Sequence, residues 1–161
     1  MDDNKTYIVI LRDSLINKKK VLDNIIELTE KQYELVKSEN VEADEFDYLI
    51  EEKGKNLAML SMIDDGFDGV YTRVRDEIHA EPGKYRDLIE EIRKLIEETV
   101  ARGAKIETLE HRNKEHIEAF IERKKTEVRE FRARQNTSKH YTMNMGNQHK
   151  EGASYFMDKK N

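Results

Sequence analysis

Apolar residues recur along this chain at alternating steps of three and four, and that spacing limits what the chain can fold into. Ile8, Leu11, Leu15, Lys18, Leu22, Ile25, Thr29, Gln32 and Val36 keep the rhythm, with three polar interruptions. Ile26 and Tyr33 widen the stripe. Steps of three and four place side chains on one face of an α-helix, whereas a half-buried strand needs strict alternation. The opening run Tyr7-Ile8-Val9-Ile10 is β-branched, but no partner strand is evident. Helix is therefore expected from the start.

Two further stripes follow. Phe46, Leu49, Ile50, Lys53, Leu57, Leu60, Ile63, Phe67, Val70, Tyr71, Val74 and Ile78 form the second. Gly54, Gly66 and Gly69 weaken it by about 1 kcal/mol each against Ala, and Asp64-Asp65-Gly66 is a candidate kink. Asp44 is expected to cap its N-terminus. Pro82, the chain's one proline, then breaks the pattern, because it lacks an N–H and fixes φ. The third stripe runs from Tyr85 through Leu95, Thr99, Ile106, Leu109, Asn113 and Ile117 to Phe131, with Gly103 as a candidate hinge. The expected fold is all-α: an antiparallel bundle or coiled coil of three long helices near 6–38, 45–78 and 84–134. At about 1.5 Å per residue the first two match at about 50 Å, and the third outruns them by about 25 Å.

Composition agrees. Charged residues make up 39% of the chain, against about a quarter in ordinary globular proteins. Cysteine is absent, which excludes a disulfide scaffold, a thiolate zinc site and a Cys nucleophile. Seven glycines and one proline are too few for a turn-rich sandwich or barrel. The longest apolar run is five residues, Tyr7 to Leu11, far short of the roughly 20 a spanning helix needs. No membrane insertion and a soluble, cytoplasmic protein are the expectations.

Charge divides the chain. Residues 1–122 hold 19 basic and 30 acidic side chains; residues 123–161 hold 10 basic and 4 acidic. Val128 is the last aliphatic branched residue. A segment without such residues buries too little to offset its ordering entropy. Residues 1–134 are thus expected to form one helical domain and residues 135–161 a flexible tail. The overhang of the third helix keeps an apolar stripe of Ile117, Phe120, Ile121, Val128 and Phe131. An apolar stripe with no intramolecular partner is a binding surface. Fold-back after a break at Gly103, or pairing of two chains, are the alternatives.

Nothing in the sequence points to catalysis, and no enzyme, metal or cofactor is expected. There is no phosphate-cradling glycine loop and no His-Glu-x-x-His. His111 and His116, five apart, fall on different helix faces. Asp64-Asp65-Gly66-Phe67-Asp68-Gly69 has a calcium-loop flavour, but Arg75 stands where a bidentate Glu is required. The basic end, with Tyr141, Tyr155 and Phe156, has the elements of single-strand nucleic-acid binding. The acidic body repels phosphate and no recognition motif is present, so no nucleic acid is expected. Three of six methionines lie in the tail, at 143, 145 and 157, beside those aromatics. Such clusters suit short docking motifs.

Several segments carry a resemblance. They are Leu22-x-x-Ile25-Ile26-x-Leu28-Thr29-x-x-Gln32, the linker Ser38-x-x-Val41, Asp44-Glu45-Phe46-Asp47-x-Leu49-x-Glu51-Glu52-Lys53, and Leu57-x-x-Leu60-x-x-Ile63-Asp64-Asp65-Gly66-Phe67-x-x-Val70-Tyr71. Over about residues 5–134 the chain resembles the FlgN-type flagellar export chaperones, in the form found in anaerobic Gram-positive bacteria. The resemblance implies a cytoplasmic helical bundle without catalysis. It also implies clients, the hook–filament junction proteins, held by their terminal helices and delivered to the cytosolic domain of the export gate. Client capture would fall on the C-terminal helical region, matching Ile117, Phe120, Ile121, Val128 and Phe131. Gate docking would use an aromatic residue near the C-terminus, for which Tyr141, Tyr155 and Phe156 are the candidates. A homodimeric coiled-coil scaffold is the alternative, and nucleic-acid binding by the basic end a lesser one.

Overall fold

A computed structural model of the chain describes residues 2–38 and 42–138. They form three helices: α1 (Asp3–Lys37), α2 (Ala43–Ala80) and α3 (Arg86–Ser138). Among the described residues there is no strand, so the β-branched opening is helical. The chain divides into two compact units, Met1–Asn113 and Lys114–Asn161, with the boundary inside α3.

The first unit is a three-helix bundle. Its cross-helix ion pairs and hydrogen bonds set the directions. Asn4 donates to Glu77, Arg73 to the Tyr7 hydroxyl at 3.0 Å, and Lys53 to Gln32 at 3.0 Å. Numbers rise on α1 as they fall on α2, so the two are antiparallel. Between α1 and α3 the pairs Arg12–Glu91 (3.5 Å), Lys19–Glu98 (2.7 Å) and Asp23–Arg102 (2.7 Å) rise together. Those helices are therefore parallel. Arg12 and Lys19 are a heptad apart, as are Glu91 and Glu98, which is the periodicity of coiled-coil flanks.

Ile8, Leu11, Val74 and Tyr85 are buried together, with Phe67, Val70, Ile78, Leu88 and Ile92 packed around them. Along α1 the core continues through Leu15, Leu22, Ile25 and Val36, as the three-four stripe required. Polar interruptions in the stripes turn out to be buried and partnered. Thr29 donates to the Ile25 carbonyl at 2.7 Å, and the Asn113 amide donates to the Thr29 carbonyl at 2.8 Å. Lys53 reaches both Gln32 and Glu110. Arg112 lies over the Tyr33 ring, 3.7 Å from its centroid, and pairs with Glu30 at 3.1 Å.

The start of α1 is tied to the α2–α3 turn. Asp2 caps α1 by accepting from the Asn4 and Lys5 amides. Its other oxygen accepts from the Tyr85 hydroxyl at 2.8 Å. That hydroxyl, with the capping amides and the nearby Lys84 ammonium, lowers the Asp2 pKa below its ordinary 3.8. Burial is the main cause that raises Tyr85.

Four local expectations need correction. Asp44 is not the cap: α2 begins two residues earlier, and Glu42 holds the cap position without a side-chain bond. Asp44 and Glu45 instead occupy the first turn, where the dipole favours carboxylates. Asp64-Asp65-Gly66, the candidate kink, does not interrupt α2, which is helical throughout, and no glycine among the described residues has positive φ. Gly103 likewise does not break α3. Finally, α3 continues to Ser138, so 135–138 belong to the helix rather than to a tail. There Thr137 donates back to the Ala133 carbonyl at 3.0 Å. Residues 139–161, where the rest of the expected tail falls, lie outside the described residues.

Candidate partner-binding surface

The stripe on the C-terminal part of α3 was expected to stand bare; one of its five residues is covered and the other four are part-exposed. Phe120 is 1% exposed. Ile117, Ile121, Val128 and Phe131 are all half-buried. Within the second unit the Lys124 ammonium sits over the Phe120 ring, 5.7 Å from its centroid, one turn further along. A ring as large as Phe120 gains about 1.5–3 kcal/mol from burial, so coverage is the physically favoured state. Tyr141, Tyr155 and Phe156, the candidates for gate docking, lie outside the described residues.

Exposed apolar residues lie on α2 as well. No residue from 57 to 73 is buried, although the segment carries Leu57, Met59, Leu60, Met62, Ile63, Phe67, Val70 and Tyr71. Met62 is 74% exposed and Leu57 is 52% exposed. Asn56 and Val74, at either end, are buried. The helix is thus anchored at both ends of this stretch and lightly packed along about five turns.

The neighbouring stretch of α3 extends the patch. Lys53–Glu110 and Glu77–Lys84 set α2 and α3 antiparallel. Ten residues from the first pair on each helix, Ile63 and Val100 come to the same level. Val100 is 66% exposed, and Ile96, one turn earlier, is also exposed. Ile96 shares its heptad position with Gly103 and Glu110, and Glu110 is the residue that reaches α2. Ile96 therefore lies on the flank of α3 nearest α2.

Sequence reasoning placed Leu57, Leu60, Ile63 and Phe67 in the core stripe and passed over Met59 and Met62. Periodicity records which face is apolar, not whether another helix covers it. The usable signal was compositional. Three of the chain's seven glycines interrupt α2, two of them in the lightly packed stretch. All of these helical glycines have open space where a Cβ would stand. Close approach of another backbone is not their reason.

Among the described residues no three His, Asp or Glu side chains cluster to hold a metal ion. Asp64, from the calcium-like segment, is held by Lys18 at 2.7 Å. Among the described helices none is long and apolar enough to cross a membrane. Comparisons with protein-family models, with curated proteins and with solved structures returned no match.

Proposed function

We propose that this chain is a helix-binding chaperone of the flagellar export type. On this reading it holds terminal helices of hook–filament junction proteins in the cytoplasm and delivers them to the export gate. One observation carries the proposal. Over residues 57–73 a stably anchored helix, α2, has no buried residue, and Leu57 and Tyr71 on its core-side stripe stay 52% and 38% exposed. Exposed apolar patches of this kind mark interaction sites. An amphipathic client helix laid on this face would complete a seam of the helix-in-groove type. The sequence resemblance supplies the client class.

The α2 face takes over the role expected of the α3 end. Phe120 would have to be uncovered before that end received a helix, at the cost of its own burial. Reversible delivery suits the α2 face, since several half-exposed side chains contribute a few kcal/mol gross before association costs.

Calorimetry with a peptide of a junction protein's terminal helix tests the reading. Micromolar binding to the full chain is expected. Leu57→Asp and Tyr71→Asp should each weaken it by about tenfold while leaving helicity unchanged. Binding unaffected by both substitutions would overturn the proposal. A concentration-dependent dimer lost on Leu57→Asp would assign the face to self-association instead.

A further inference from the structure

A second surface lies at the other end of α2, where α1 ends and α2 begins. It is an open cleft of about 780 Å³. Leu35, Tyr48 and Leu49 contribute its apolar groups, and Tyr48 is 60% exposed. Its rim is acidic: Glu27, Glu30, Glu34, Asp44 and Glu45 stand around it, against the single cation Lys31. Three of these carboxylates are already engaged. Glu27 pairs with Lys31, Glu30 with Arg112 and Glu34 with Lys37. Asp44 and Glu45, in the first turn of α2, have no cation within ion-pair distance among the described residues.

We infer that this cleft docks a basic amphipathic helix of a partner protein. Two antiparallel helices with an apolar seam between them accept a further helix more readily than an extended strand, because no sheet edge is present to pair with it. A cleft of this size takes a few apolar side chains rather than a whole small domain. Charge complementarity selects the sign: Lys or Arg flanking the apolar face would meet Asp44 and Glu45, while an acidic helix would be repelled by them. The site shares no residue with the α2 face at 57–73, so the inference stands apart from the client proposal.

The test uses the full chain and a synthetic helix-forming peptide, built of Leu at three-four spacing with Lys elsewhere. Its twin carries Glu in place of every Lys. Calorimetry should show binding of the Lys peptide and none of the Glu twin. Tyr48→Ala, and separately Asp44→Asn with Glu45→Gln, should each weaken binding by about fivefold. The control pair Asp65→Asn with Asp68→Asn removes equal charge from elsewhere on α2 and should change nothing. Leu57→Asp should also leave this binding intact, which separates it from the client face. Absence of binding would overturn the inference, including the case where the chain's own basic residues occupy the cleft. So would equal loss in the control pair, which would mean non-specific attraction to an acidic protein.

Discussion

Single residues inside the bundle decide how specifically it closes. Asn113 is fully buried, and its amide satisfies the Thr29 carbonyl across the α1–α3 interface. Asn113→Ala leaves that carbonyl without its partner and should cost about 1–3 kcal/mol, read by urea denaturation. Asn56 is the contrasting case. Its amide donates to the Glu52 carbonyl at 2.9 Å, but its buried Oδ1 has no partner. Asn56→Leu removes an unsatisfied acceptor and should raise stability by about 1 kcal/mol. An unchanged or lower urea midpoint would refute it. Of these two, Asn113 was placed on its stripe by spacing alone, whereas Asn56 fell outside the α2 stripe. An asparagine off the expected face carries no signal of burial when the neighbouring helix is unknown.

At the scale of the element, α1 was fully legible and α2 only in part. Every three-four position from Ile8 to Val36 on α1 is buried apart from half-buried Lys18. In α2 the same rhythm continues from Leu57 to Tyr71 with no buried residue. The rhythm is equal in the two helices; what differs is whether the neighbouring helices lie close enough to cover it. At the end of α3 length arithmetic implied a bare overhang, and Phe120 is instead buried. The glycines of α2 offer a direct experiment. With no heavy atom near a built Cβ and ordinary helical φ, Gly66→Ala and Gly69→Ala should each stabilise by about 0.5–1 kcal/mol. Thermal denaturation checks this, and client binding by the doubly substituted chain should persist because the substitutions add no bulk beyond a methyl.

Across the whole molecule, acid should act through carboxylates whose charged form the fold favours. Asp2, bound by the Tyr85 hydroxyl, titrates below its ordinary 3.8, and Glu98, bound by Lys19, below its ordinary 4.5. A lowered folded pKa means stability that is complete above the unfolded value and lost as pH falls through the folded one. Urea midpoints should therefore decline from roughly pH 5 towards pH 3, and Asp2→Asn should flatten part of that decline. An unchanged profile for Asp2→Asn would deny the capping cluster this role.

The pairs joining α1 to α3 have a further consequence. Arg12–Glu91, Lys19–Glu98 and Asp23–Arg102 share one sequence offset. Slip α3 by one heptad in one direction, and Arg12 faces Lys84. Slip it the other way, and Lys19 faces Lys105. Each pair contributes little as an exposed bridge, but together they act as a vernier with a single aligned reading. Apolar stripes alone would tolerate a seven-residue error. Either slip sets one like-charged pair in the seam and leaves Asp23 facing a leucine, so the flanking charges favour the observed register.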